Sequence, residues 1–134
     1  MRLSLIVVFF CIGGCATNKP NEQLVQSTQT TTFSTQDTYV SCLYKEANKY
    51  FPYSDSATEI VDATQSDCEA SFKFFQTAFI DYILASTSGT NIEEMTTLAT
   101  NNSLMLKKNH LQKFKQNVTK RLFRKRKSLM QSKG

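Results

Sequence analysis

The side chains able to do chemistry in this chain are few and fall into small groups. Cysteines stand at positions 11, 15, 42 and 68, the single histidine is His110, and eleven of the sixteen Lys and Arg residues lie from residue 95 onward. Cys42 and Cys68 are too few for a structural zinc site, which wants four ligands, and one histidine does not complete the set. Their other use is a disulfide. His110 stands among lysines on a solvated stretch, where no catalytic partner is near in sequence. Glu93 and Glu94 are adjacent, so on a helix they point in different directions and make a poor acid and base pair; their charges suit a helix N-terminus. There is no nucleophile elbow, no phosphate-cradling glycine loop and no histidine pair. Two of the four glycines, Gly13 and Gly14, fall in the first fourteen residues. The sequence therefore points away from an enzyme, and neither a cofactor nor a metal is expected.

The cations are a stronger signal. From residue 15 to residue 94 there are eleven acids against four bases (Lys19, Lys45, Lys49 and Lys73), a balance of −7; from residue 95 to the end there are eleven bases and no acid. Such a one-sided segment suits contact with an anionic surface or an acidic protein partner. The residues expected to make that contact are Lys113, Lys120, Arg121, Arg124, Lys125, Arg126 and Lys127. A bland use of the same charge is a solvated face that complements the acidic part of the chain.

The first residues say where this chemistry takes place. Arg2, an apolar run over residues 3–12 and small residues after it have the anatomy of a secretory signal. The run is ten residues long, short of the roughly 20 that cross a bilayer. Its ending, Ile12-Gly13-Gly14-Cys15, resembles the lipobox of bacterial lipoproteins, with isoleucine where leucine is more usual. Cys11 follows Phe9 and Phe10, too bulky for such a cleavage site. The resemblance covers residues 1–15 alone. It implies removal of residues 1–14, lipidation of Cys15 and attachment to the cell envelope, the membrane itself being the first partner. Two or more acyl chains, at about 0.8 kcal/mol per buried methylene, make such an anchor effectively permanent. By the sorting rule of enteric bacteria, Ala16 after the lipid cysteine points to the outer membrane, facing the periplasm. An exported location also makes nucleic acid a poor candidate for the basic segment, and it lets a Cys42–Cys68 disulfide persist.

The elements that must position these groups are helical. Of residues 16–36, fourteen are Thr, Ser, Asn or Gln, with little to bury against the entropy of ordering, so residues 15–36 read as a lipidated, disordered tether. A short strand over residues 30–33 is the alternative. The helical domain is expected over residues 37–127. A first helix over residues 38–51 has Asp37 as N-cap, an apolar face of Tyr39, Cys42, Leu43, Ala47 and Tyr50, and Pro52 as its stop. A second begins at the capping box Ser56-Ala57-Thr58-Glu59 and continues to residue 85. On it Ile60, Thr64, Cys68, Phe72, Phe75 and Phe79 share one side, and Glu59, Asp62, Glu69 and Lys73 the other. Beyond Phe72 the apolar residues go all round, which calls for burial under a third helix or marks an exposed partner-binding patch.

With the turn centred on Asp55, Cys42 lies thirteen residues before it and Cys68 thirteen after, level in an antiparallel hairpin where a bridge is feasible. The third helical region starts near Asn91 and pauses at Asn101-Asn102. It carries Leu104, Leu111, Phe114, Val118 and Leu122 as a narrow stripe, with Lys113, Lys120, Arg124 and Lys127 opposite. Residues 128–134 are expected to be a flexible tail. The whole is an all-α lipoprotein, a small helical bundle built on a disulfide-linked hairpin plus a basic helical region. It reads as a non-catalytic accessory or binding module of the envelope. The alternative is a periplasmic inhibitor or immunity-type protein presenting the acidic face of Glu59, Asp62 and Glu69.

Overall fold

The computed structural model describes residues 19–88 and 91–133. The leader expected over residues 1–14 and the lipidation expected at Cys15 lie outside the described residues. Four helices and no strand are found among the described residues: α1 (Glu22–Tyr50), α2 (Ala57–Asp67), α3 (Glu69–Ser86) and α4 (Ile92–Gln131). The architecture is all-α, with α2 and α3 running back along α1 and α4 running parallel to α1.

The hairpin forms as its sequence dictates. Tyr39, Leu43 and Ala47 are buried on α1, and Ile60, Thr64, Cys68, Phe72 and Phe75 answer them from α2 and α3. Tyr50 is the last residue of α1, two before Pro52, whose ring and missing N–H do not continue a helix. The Ser56 hydroxyl caps α2 by accepting from the Glu59 N–H at 3.3 Å. The Glu59 carboxylate does not close the box directly; it accepts from the Ser54 hydroxyl at 2.7 Å, and Ser54 Oγ in turn accepts the Ser56 N–H at 3.1 Å. Cys42 and Cys68 are joined, with Cα atoms 5.9 Å apart across 26 residues. Closing a loop of that size is worth about 3 kcal/mol on the chain-entropy argument.

The second helix of the sequence reading is two helices. Cys68 alone leaves helical geometry (φ −98°, ψ 8°), while hydrogen bonds from Cys68 N to Thr64 O and from Phe72 N to Cys68 O carry the ladder past it. The bend therefore coincides with the disulfide. Beyond it, Phe72, Phe75 and Ala78 are buried, and Phe79, Ile80, Ile83 and Leu84 are half-buried between neighbours. Phe74 stays outside, 71% exposed.

Three boundaries differ from the sequence reading. First, residues 22–36 are not a tether but the opening four turns of α1, capped by Asn21, whose side chain accepts from Gln23 N and Leu24 N. Asp37 is an exposed mid-helix residue and caps nothing. The polar run is stabilised by packing that a hydrophobicity count overlooks. Thr28, Thr30, Thr31 and Thr35 return their hydroxyls to carbonyls of the preceding turn, and the single hydroxyl hydrogen of buried Thr32 is shared between Thr28 O at 2.8 Å and Ala78 O of α3 at 2.9 Å. Such bonds satisfy hydroxyls that would otherwise compete for the backbone. Second, α4 runs through Asn101 and Asn102 without pause, since Ala99 and Ser103 on either side are buried and hold the turn in place. Third, residues 128–131 are helical and the end of α4 is Gln131, because no Gly or Pro interrupts the run before Gly134.

The buried stripe of α4 is also shifted. Ala99, Ser103, Phe114, Val118 and Leu122 form it, with Leu111 half-buried, whereas Leu104 is 48% exposed. Small residues, not leucine, face α3 in the first half of α4: the Gln76 amide donates to Ser103 Oγ at 2.9 Å, and that hydroxyl donates to Thr100 O at 2.7 Å.

Candidate partner-binding surface

Burial of Phe114, Val118 and Leu122 fixes the rotation of α4 about its axis. At 100° per residue this sends Lys113, Lys120, Arg124 and Lys127 to the far side. All four are exposed, and none makes a hydrogen bond or ion pair within the described residues. The other three expected contact residues are turned inward and used by the fold. Arg121 donates to Asn48 Oδ1 at 2.6 Å and stacks over Phe51, 3.9 Å from the ring centroid. Lys125 donates to Phe51 O at 3.0 Å and to Asp55 Oδ1 at 3.2 Å, and Arg126 donates to Asp55 O at 2.8 Å. These cations meet carbonyls at and just past the C-terminal end of α1, where the helix dipole favours positive charge. The basic segment is thus two sets, one a clasp on the α1–α2 turn and one facing solvent.

The clasp is the end of a longer seam. Gln36, Tyr44, Asn48 and Phe51 of α1 and its cap meet His110, Asn117, Arg121 and Lys125 of α4 in parallel register, at 2.8, 2.6, 2.6 and 3.0 Å. Each contact is polar. The seam was not legible beforehand because its members look solvated in sequence; the signal is a near-constant separation of 73 or 74 residues between partners.

His110 differs from its solvated reading. It is half-buried, edge-on to Tyr39 at 6.4 Å, and its Nε2 takes the Gln36 amide. Burial first, and the Lys113 charge second, push its pKa below the ordinary histidine value. Tyr39 is fully buried, its hydroxyl without a hydrogen-bond partner among the described residues, and burial with the nearby Glu69 carboxylate pushes its pKa up to about 12. No cluster of three or more His, Cys, Asp or Glu side chains with metal-binding geometry occurs among the described residues. A surface depression, shallow and open, lies along α1 alone, from Thr30 to Glu46.

Two signals on α4 went unread in the sequence. Lys108 and Lys115 add to the exposed cations, and Phe123 and Met130 are 69% and 70% exposed on the side opposite the buried stripe. Lys107, by contrast, is taken by the fold: it pairs with Glu69 at 2.7 Å and sits over Phe72, 4.2 Å from the centroid. That pair also engages one member of the acidic face. Glu59 is engaged by Ser54, and Asp62 is left exposed. No described helix is long and apolar enough to cross a membrane.

No protein-family model, curated protein or solved structure matches the chain.

Proposed function

We propose that this protein is a lipid-anchored, non-catalytic binding module of the bacterial cell envelope, attached through Cys15 and acting through the outer face of α4. The single observation that carries the reading is the division of the basic segment. Arg121, Lys125 and Arg126 are spent on the α1–α2 turn, yet Lys113, Lys120, Arg124 and Lys127 are exposed and make no ion pair among the described residues. A charge set that only complemented the acidic hairpin would be turned toward it. The ligand class is an acidic protein partner or an anionic envelope surface. Export, leader removal and the outer-membrane address rest on the resemblance of residues 1–15 to a lipoprotein signal. The inhibitor reading has less support, because Glu59 and Glu69 are held by Ser54 and Lys107.

The test is a photoreactive residue placed at Lys120 or at Asp62 in intact cells, followed by mass spectrometry of what is captured. Capture from position 120 with silence at 62 supports the basic face. The reverse pattern would move the function to the acidic face.

A further inference from the structure

Resting on that reading, we infer that the bundle lies on its side upon the bilayer that carries its own anchor, with the outer face of α4 seated on anionic phospholipid. Phe123 and Met130 are seven residues apart, two helical turns, and project from the side opposite Phe114, Val118 and Leu122. Met105, 58% exposed, continues the same line toward the start of α4. Along one flank of this line stand Lys113, Lys120, Arg124 and Lys127, and along the other Lys108 and Lys115. All eleven acids of the chain precede residue 95. Isolated apolar side chains spaced along one side of a helix with cations on both flanks are the pattern of a helix lying in a membrane interface, where apolar side chains enter the acyl boundary and cations reach phosphates.

The position of the anchor favours its own membrane over a distant one. Because α1 begins at Glu22 with Asn21 as cap, only residues 16–21 separate Cys15 from the bundle. Six residues span at most about 21 Å. Lys19 shares a surface depression with Ser86 at the end of α3, so the chain enters at the end of the bundle where α4 begins. From there the 40 residues of α4 extend for about 60 Å, long enough to lie as a keel along the surface. A convex helix exterior with isolated apolar side chains suits a fluid surface that conforms to it. A protein groove would be met by a contiguous apolar cluster.

The chain contains no tryptophan, so Phe123→Trp, Met130→Trp and Phe33→Trp each install a single fluorophore at an exposed position. The purified lipidated protein is reconstituted into phosphatidylcholine vesicles with or without brominated phosphatidylglycerol. Blue-shifted emission and bromine quenching are expected at 123 and 130 in the anionic vesicles, with neither at 33. Changing Lys120, Arg124 and Lys127 together to Gln should lower the docked-to-free ratio on the order of a hundredfold while leaving helicity unchanged. Quenching of 123 only by brominated lipid in a second vesicle population would overturn the side-on arrangement. Absence of quenching, with capture of an acidic protein from position 120, would overturn lipid as the occupant and leave the binding-module reading intact. An intact mass without acyl chains would overturn the anchor itself, and with it both statements.

Discussion

The two ends of the bundle are closed by different chemistry. Around the α1–α2 turn the interior is bulky and apolar, with Leu43, Phe51, Ile60, Phe114, Val118 and Leu122 buried and Tyr39, Phe72 and Phe75 stacked toward the middle. Near the start of α1 and α4 the buried residues are Thr32, Ala78, Ala99 and Ser103. There the helices approach closely over small side chains, and cross-helix bonds such as Thr32 to Ala78 O and Gln76 to Ser103 replace apolar volume. The difference teaches that a helix can be held in register by satisfied hydroxyls where little hydrophobic area is available. The stability so gained is smaller, because a net intramolecular hydrogen bond contributes about 1 kcal/mol against several for a buried aromatic.

Substitutions should separate the two ends in order of size. Phe75→Ala removes a fully buried ring and should cost about 3 to 5 kcal/mol, read by urea or thermal unfolding. Cys42→Ser with Cys68→Ser should cost about 3 kcal/mol, and the same loss should follow reduction of the native protein. Thr32→Ala should cost only about 1 kcal/mol, accompanied by faster amide exchange in the first turns of α1 and little change around Leu43. An equal loss of protection at both ends would show that they unfold as one unit and dissolve the distinction.

Acidity offers a smaller lever at the junction between the ends. His110 has a depressed pKa in the fold, so between that value and about 6.5 the unfolded chain binds more protons than the native one. Stability should therefore be full above about pH 6.5 and decline as pH falls through that window. The pH slope of the unfolding free energy measures this, and His110→Gln should flatten it. Smallest of all, Lys120→Gln should change stability by less than about 0.5 kcal/mol, whereas Lys125→Ala should register through its bonds to Phe51 O and Asp55. Equal effects at the two lysines would mean that clasp and outer face are not distinct.

The same contrast explains what was readable in advance. The all-α class, the capping of α2 and the level pairing of Cys42 with Cys68 follow from apolar spacing and a symmetric turn, and the apolar end is built from such signals. Residues 22–36 do not read as helix because Thr28, Gln29, Thr32 and Gln36 keep helical spacing but present hydroxyls and amides, which hydropathy counts as solvent-facing. For the same reason Leu104, expected in the buried stripe, is exposed while its neighbour Ser103 is buried. In the basic segment the outward set was legible from Phe114, Val118 and Leu122, since a buried stripe fixes what stands opposite. The inward turn of Arg121, Lys125 and Arg126 depends on the Asn48 side chain and on carbonyls of Phe51 and Asp55 about seventy residues away, and composition carries no trace of such a contact.

That separation has a consequence for the order in which the molecule assembles. The hairpin of α1 with α2 and α3 is made of contacts between near neighbours in sequence, and its turn can form while α4 is still unstructured. The clasp must wait for a loop of about seventy residues to close, and loop closure grows costlier with length. In an oxidising compartment the Cys42–Cys68 bond would then be sealed on an open intermediate of α1, α2 and α3, its aromatic flank uncovered, before the basic helix swings in. Refolding of the reduced and the oxidised chain should accordingly differ in the early phase and converge in the last one.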